Sequence, residues 1–565
     1  MVEDPDAALR DAALAKRLGA AIVEYRVDHL FHGDSDGEPD TFGARQVERL
    51  VSESPLPCII TCRPSFEGGG YDGDDASRIS LYEHLGTLPH PPSYLDVELA
   101  TYNRSANLRQ KVHLAVGHPS PRQDPPTRLI LSAHDFNTRP ANLSRLITEM
   151  RSSDAAAVHK IAFRARSLRD NLELFEILRH ADRPTIALGM GEFGLMSRVL
   201  APKFGGLLTF ASLRESSTTA PGQPTIEELT SLYRFSSIGR STKVYGVIGW
   251  PVSHSLSPHV HNAGFGASGH DGVYLPLPVA PEWEHFKATL AALLDDPALD
   301  FAGASVTLPH KEHLLRFALE DRSRTWHIDA LSRGCGAANT LTVRPDGSCA
   351  VLNTDAPALV DSLAVGMGLA AAAEPPNLDG LRVAVIGAGG VARAAAGGLM
   401  NAGATVVVYN RTQSRADELV KKLSAWGEDS GCRGRVVSGP WERLDKSCAN
   451  ALINCTPVGM QGGPQPDALP VPESALSNCT EPVTVLDTVY SPLNTPLLRR
   501  SRELGLRTID GTDMFVRQAV RQLENWFRAS GLGFEPTRRA DTILLYRRIV
   551  LSRLEKPAEE SPGGS

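Results

Sequence analysis

Residues 381–412, "LRVAVIGAGGVARAAAGGLMNAGATVVVYNRT", decide the fold of the region around them. An apolar run ends in a glycine turn (Gly387, Gly389, Gly390), a small-residue helical pattern follows, and a second apolar run, "TVVVY", comes after it. In this strand–turn–helix–strand unit the glycines let the backbone approach a pyrophosphate. The helix N-terminus favours the pyrophosphate's charge. The second run ends in Asn410, Arg411 and Thr412, where an NAD-binding unit usually carries an acid. An arginine there accommodates a 2′-phosphate, so the pattern points to NADP(H). A Rossmann-type domain is expected over 378–489.

At 565 residues the chain is too long for one core. Apolar residues make up 42% and charged residues 22%, an ordinary globular composition. The net charge of −7, with no concentrated Lys/Arg block, argues against a nucleic-acid partner. Eight scattered cysteines without a CxxC pair read as reduced thiols, not as a disulfide frame or a metal site. No targeting pattern and no long apolar run is visible, so a cytoplasmic protein with no membrane partner is expected. "KPAEESPGGS" (556–565) reads as a disordered tail.

The first 230 residues alternate apolar runs with amphipathic helical stretches. The runs are "AAIVEYR", "CIITCR", "YLDVEL", "RLILSAHD", "AAAVHKIAF", "PTIALGM" and "GLLTFAS". Such alternation implies parallel βα units, and seven strands suggest a (β/α)8 TIM-type barrel whose first strand is missing. "YRFSSIGRSTK" (233–243) is polar enough for a linker, and "LAAAAEPPNLDG" (369–380) looks like a hinge. The division expected is a barrel over 1–232, an α/β domain over 243–370 completed by 490–530, then the Rossmann domain.

Active groups in such barrels sit at the C-terminal ends of strands. His134 and Lys160 lie toward the ends of neighbouring strands, where they would face each other roughly 5 Å apart. A lone strand lysine more often snorkels or pairs with a carboxylate. Buried among apolar side chains, a lysine has its pKa lowered, which frees the amine to attack a carbonyl. An adjacent histidine can move protons at neutral pH, so the pair suggests imine chemistry on a ketone. Glu24, Arg26, Arg63, Glu67 and Arg198 collect at the same strand ends and fit an anionic, hydroxylated substrate.

"VEYRVD", "TCRPSFEGGG", "SAHDF", "HKIAF", "GMGEFGLMSR" and "APGQ" make residues 8–232 resemble the type I 3-dehydroquinate dehydratases, with the motifs in family order. The resemblance implies that Lys160 forms a covalent Schiff base with the C3 ketone of 3-dehydroquinate. His134 would remove the C2 proton and help expel the C1 hydroxyl. Glu24, Arg26, Arg63 and Arg198 would orient the substrate, Gln223 would close over it, and Glu67 would polarise nearby groups. Where the family has a serine before "APGQ", this chain has Thr219, which keeps the hydroxyl.

Downstream, Lys311 in "SVTLPHKE" and Asp355 in "NTD" each follow a short strand. With Ser255, Ser257, Thr307 and Asn339 around them, a polyol–carboxylate site is expected, although a Lys–Asp pair alone is more often a surface salt bridge. Three histidines in "SHSLSPHVHN" lack a carboxylate or cysteine to complete a metal site, so no metal is expected. These segments, with "GAANTL", "NCTPVGM", "DTVYSPLNTP" and "GTDMFVRQA", make residues 243–530 resemble shikimate dehydrogenase. The resemblance places Lys311 and Asp355 at the reacting carbon, Ser255 and Ser257 on the carboxylate, and Thr307, Asn339, Tyr490 and Gln518 on ring hydroxyls. It extends the cofactor set to Ala388, Val391, Ala392, Arg415, Thr456 and Gly511. Ala358 stands where that family usually has a glycine.

Together the two resemblances imply consecutive reactions, 3-dehydroquinate to 3-dehydroshikimate to shikimate, by a monomer or homodimer acting on small molecules. The competing expectations are a non-catalytic regulatory homologue, which predicts decayed catalytic positions, and a catabolic NAD-dependent quinate/shikimate dehydrogenase, which Arg411 disfavours.

Overall fold

A computed structural model describes residues 1–31, 41–117, 125–214, 222–369, 376–446, 449–477 and 483–555. Thr219 and the 556–565 tail lie outside the described residues. The chain divides into two units, Met1–Thr242 and Lys243–Ser565.

Six strands form the sheet of the first unit: β1 (Val23–Arg26), β2 (Cys58–Thr61), β3 (Tyr94–Glu98), β4 (Arg128–Asp135), β5 (Ala156–Arg164) and β6 (Thr185–Met190). They pair in chain order and all in parallel, with helices in the connections, as expected of consecutive βα units. Alternation sorts each strand into two faces. One face carries Ile59, Tyr94, Ile130, Val158, Ile186 and Leu188, packed with Leu208 and Phe210. Toward the C-terminal ends of β3, β4 and β5 that face turns polar with Asp96, Glu98, Ser132, His134 and Lys160.

Two expectations differ from the structure here. "GLLTFAS" forms no strand. Its main chain touches β6 through one bond, Leu207 N–H to Thr185 O at 2.9 Å, and Ser212 then bridges to Thr225. Leu208 and Phe210 are partly buried against the sheet while Leu207 is exposed, so the run packs through side chains, and one main-chain bond to β6 does not make a ladder. The stretch expected as a linker packs onto the first unit instead. Tyr233 and Ile238 are buried, and the Lys203 ammonium donates to Arg240 O and Thr242 O at 2.7 and 3.0 Å.

The second unit holds two sheets. The first comprises β7 (Lys243–Gly249), β8 (Gly272–Pro278), β9 (Phe301–Val306), β10 (Trp326–Ile328), β11 (Thr340–Val343) and β12 (Cys349–Leu352), in the order β10-β12-β11-β9-β7-β8 with β11 antiparallel to its neighbours. The second comprises β13 (Arg382–Ile386), β14 (Thr405–Tyr409), β15 (Arg435–Ser438), β16 (Ala451–Asn454), β17 (Thr484–Asp487) and β18 (Arg507–Ile509). These are all parallel in the order β15-β14-β13-β16-β17-β18. Strand order reverses beside β13, so a crevice opens at its carboxyl end. Helix Gly511–Ala529 returns to the first of these sheets, where the Trp526 indole N–H donates to Leu341 O at 2.9 Å. No helix among the described residues is long and apolar enough to cross a membrane.

Candidate active sites

In the first unit Lys160 stands near the middle of β5 and is 5% exposed. Its surroundings are not the apolar ones expected from "AAAVHKIAF". The ammonium lies 2.9 Å from Asp96 Oδ2 and 3.6 Å from Glu24 Oε1, with the Phe210 ring 4.5 Å away on another side. Register also corrects the placement of His134. Lys160 is beside Ser132, and His134 is beside Ala162, so the two functional side chains are diagonal, two residues apart along the same face.

Behind Lys160 runs a buried ladder of charge. Arg63 reaches Asp96 at 3.0 Å and Glu98 at 2.7 Å, and Arg78 reaches the other oxygen of Glu98 at 2.8 Å. Ser132 Oγ donates to Asp96 Oδ1 at 2.5 Å. Burial works against the charge on Asp96, but Arg63 and Lys160 outweigh it and hold the carboxyl well below the usual carboxylate range. Asp96, Glu98, Arg78 and Ser132 were missed in the sequence. The signal was present in "YLDVEL", whose two acids at alternate positions must share one face of a buried strand.

Glu67 approaches from the 3-10 turn after β2, and its Oε2 lies 3.0 Å from His134 Nδ1. Burial, reinforced by Glu98, pushes the Glu67 carboxyl up to about 8. Burial, with Arg63 and Lys160 nearby, pushes the His134 imidazole well below its usual value, so the ring is neutral at pH 7. Arg26 is held by Asp28 through two bonds, 3.0 and 2.8 Å. Arg198 differs from the other arginines. It is 2% exposed and donates to Gly189 O at 3.1 Å, and among the described residues no carboxylate pairs with it. Burial lowers it to about 10. Glu24, Arg26, Arg63, His134, Lys160, Arg198 and Gln223 line one small cavity of about 50 Å³.

In the second unit Lys311 opens helix Lys311–Glu320, five residues after β9, and Asp355 opens helix Asp355–Gly366, three residues after β12. Lys311 Nζ lies 2.6 Å from Asp355 Oδ2, with side chains 18% and 9% exposed. Ala358 is buried in the first turn, its N–H donating to Thr354 O at 3.3 Å, and the helix begins at Asp355. The pair opens onto a cavity of about 340 Å³ that also meets Ser255, Ser257, Thr307, Asn339, Tyr490, Gly511 and Gln518. Asn339 turns its side-chain oxygen to the Thr354 N–H at 2.7 Å, which fixes the entry to the Asp355 helix. Gly511 permits the return helix to press on the Tyr490 segment, since a Cβ there would stand 2.6 Å from Val489 O. Ser305 and Gln522 also line this cavity, and neither stood out in the sequence.

At the crevice beyond β13, Gly387 has φ +110°, a conformation side chains rarely adopt, and its N–H donates to Tyr409 O at 2.8 Å. A Cβ on Gly389 or Gly390 would meet nothing within 4 Å, so open space lies over the turn and the N-terminus of helix Gly390–Asn401. Ala388, Val391 and Ala392 belong to the same turn and helix start, and Thr456 follows β16 beside Gly387. At the tip of β14 the Asn410 amide donates to Thr412 O at 2.8 Å, while Arg411 and Arg415 are exposed. Among the described residues Arg411 makes one hydrogen bond, to Gln465 Oε1 at 3.4 Å. Open glycine backbone at a helix start, with exposed cations one strand over, suits a phosphorylated dinucleotide.

A family model described as type I 3-dehydroquinase matches residues 1–240. One described as the shikimate dehydrogenase substrate binding domain matches 247–341, and one described as shikimate / quinate 5-dehydrogenase matches 369–428. The chain is 36% identical over 538 residues to a chloroplastic bifunctional 3-dehydroquinate dehydratase/shikimate dehydrogenase of Arabidopsis thaliana, spanning 93% of this chain and 80% of that protein. It is 40% identical over 289 residues to a shikimate dehydrogenase (NADP(+)) of Paramagnetospirillum magneticum, spanning 50% of this chain and 92% of that one. Among solved structures, shikimate 5-dehydrogenase of Thermus thermophilus with NADP(H) and shikimate superposes with a TM-score of 0.42 at 29% identity, over 54% of this chain and 99% of that one.

Proposed function

We infer the chemistry of the two sites from one premise, that the chain belongs to the family of bifunctional 3-dehydroquinate dehydratase/shikimate dehydrogenases. The first unit dehydrates 3-dehydroquinate to 3-dehydroshikimate, and the second reduces that ketone to shikimate. The observation that carries the detailed reading is the pairing of a buried lysine with a neutral histidine on one sheet face, both lining the same cavity.

In the dehydratase the Lys160 amine adds to the C3 ketone, and water leaves to give an imine. Asp96 and Glu24 beside the amine favour the cationic imine, which draws electron density from C2. His134 takes the C2 proton, the C1 hydroxyl leaves as water with a proton returned from His134, and hydrolysis of the imine frees Lys160 and the product. Once ionised, as pH passes about 8, Glu67 accepts from His134 Nδ1–H, which leaves Nε2 unprotonated to act as the base. Arg198, a buried cation without a carboxylate partner among the described residues, receives the substrate carboxylate. Arg26, Arg63 and Gln223 orient the ring substituents.

In the dehydrogenase Gly387, Gly389 and Gly390 would hold the pyrophosphate of NADPH, and Arg411, with Asn410, Thr412 and Arg415, would hold its 2′-phosphate. Bound there, the cofactor would supply hydride for the ketone carbon. Lys311 donates a proton to the ketone oxygen as it becomes a hydroxyl, and Asp355 holds Nζ at 2.6 Å for that transfer. Ser255 and Ser257 hold the substrate carboxylate, while Thr307, Asn339, Tyr490 and Gln518 hold ring hydroxyls.

Incubating the full chain with 3-dehydroquinate and NADPH tests the whole reading. The expected result is NADPH consumption with shikimate as product. Consumption with 3-dehydroshikimate but not 3-dehydroquinate overturns the dehydratase, and consumption with neither overturns the dehydrogenase.

A further inference from the structure

Arg393 is the fourth residue of helix Gly390–Asn401, just beyond the glycines of the cofactor turn. Its side chain does not cover that turn, since a Cβ on Gly389 or Gly390 would meet nothing within 4 Å. It crosses instead to helix Lys311–Glu320, where Nη2 lies 2.9 Å from Oε1 of Glu312, the residue after Lys311. Glu418 also feels this guanidinium but is itself paired with Lys422 at 2.8 Å. Arg393 reaches a second place as well, the end of helix Ala330–Cys335, where a Cβ on Gly336 would stand 3.3 Å from Nη1. The segment that starts there bonds to both sides of the reacting pair. Ala338 N–H donates to Lys311 O at 3.0 Å, and Asn339 Oδ1 accepts at 2.7 Å from the N–H of Thr354, the residue before Asp355. Helix Ala330–Cys335 is itself seated tightly on the cofactor side. A Cβ on Gly334 would stand 2.2 Å from the Trp426 ring, and one on Gly397 would stand 2.8 Å from Cys335 Sγ. Hydride transfer needs its two carbons roughly 3–3.5 Å apart, so small displacements between the cofactor turn and the Lys311 turn are costly.

We propose that Arg393 is a positioning residue of the dehydrogenase. Through Glu312 and residues 336–339 it holds the Lys311 turn at a fixed distance from the cofactor turn, and it touches neither substrate nor cofactor. The proposal rests on the reading of this unit as an NADPH-dependent ketone reductase.

The test uses the full chain reducing 3-dehydroshikimate with NADPH, as wild type, R393M, E312Q and the double variant. An exposed ion pair adds little to stability, so the unfolding midpoints should agree. R393M and E312Q are each expected to lower kcat roughly five- to fiftyfold, with both KM values within about threefold. The double variant should lose no more than the worse single one, because both remove one interaction. With NADPH deuterated at the transferred position, the isotope effect on kcat should be at least as large as in wild type. Without cofactor, amide hydrogen exchange at residues 311–314 and 336–339 should speed up several-fold in both single variants. NADPH affinity, read by the cofactor's fluorescence, should not change. Additive losses in the double variant, unchanged exchange or a vanished isotope effect overturns the inference. Weaker NADPH affinity in R393M but not in E312Q makes Arg393 a cofactor contact and overturns it too. If R393M fails to fold, E312Q, whose side chain is 61% exposed, carries the test through kcat and exchange. Wild-type kcat in the single variants overturns the inference alone. Absence of 3-dehydroshikimate reduction by wild type overturns the underlying reading as well.

Discussion

Lys160 and Lys311 are both paired with an aspartate, at 2.9 and 2.6 Å, yet their settings differ in depth and in number of partners. Lys160 lies at the end of a buried ladder that runs through Asp96, Arg63 and Glu98 to Arg78. Lys311 and Asp355 form an isolated pair at two helix starts, open to a large cavity. An amine that must become covalently bound to its substrate and survive needs a counter-charge network that stays when its own charge changes. An amine that only passes a proton needs one partner and access to solvent for reprotonation. On the proposed reading, the same residue pair serves two chemistries according to what stands behind it.

The comparison breaks most sharply at Lys160. K160M and K160R should both lower dehydratase kcat roughly 10⁵-fold or more, because a guanidinium cannot form the imine. Shikimate oxidation by the same proteins should be unchanged. A dehydratase-active K160R would contradict covalent chemistry there.

K311M should lower dehydrogenase kcat about 10²- to 10⁴-fold, the range for losing a positioned proton donor. K311R should lose less, since a cation can still polarise the ketone. Equal losses in K311M and K311R would remove the distinction between the two lysines.

Stability should separate the two aspartates. D96N leaves Arg63 and Lys160 buried with too little counter-charge and should cost about 3–5 kcal/mol by denaturant unfolding. D355N leaves Lys311 near solvent and should cost about 1–2 kcal/mol. Because the Asp96 carboxyl is held low, its contribution is present above the ordinary carboxylate range and is lost as pH falls toward the folded value.

At the cofactor turn, R411S should reduce the preference for NADP over NAD roughly ten- to a hundredfold with no change in unfolding, since Arg411 is exposed and among the described residues makes one long hydrogen bond, to Gln465. The smallest effect should come from Glu67. With its carboxyl pushed up to about 8, dehydratase kcat should rise several-fold as pH passes about 8 and Glu67 ionises. E67Q should flatten that rise. The stability sign is opposite: a raised carboxyl means the folded state keeps a proton the unfolded chain has lost, so stability falls between the ordinary glutamate range and about pH 8.

Periodicity made much of the fold legible, because a buried parallel strand must be apolar on both faces and a glycine turn before a helix has few other uses. Six of seven barrel runs became strands. "GLLTFAS" did not, because apolarity reports side-chain burial and cannot report whether the main chain pairs with a neighbouring strand. His134 and Lys160 were legible as a pair, but the two-residue offset depends on register, which single strands do not encode. The "YLDVEL" acids were hidden by an apolar reading of their strand. Gln522 was out of reach for a different reason: its partner Ser305 lies 217 residues away in sequence.

In the proposed mechanism Lys160 bonds its substrate and Lys311 does not. Borohydride reduction of the full chain with 3-dehydroquinate, followed by peptide mass analysis, tests it directly. A reduced adduct is expected on the peptide carrying Lys160 and none on the peptide carrying Lys311. Dehydratase turnover with no adduct, or an adduct on any other lysine, would contradict it.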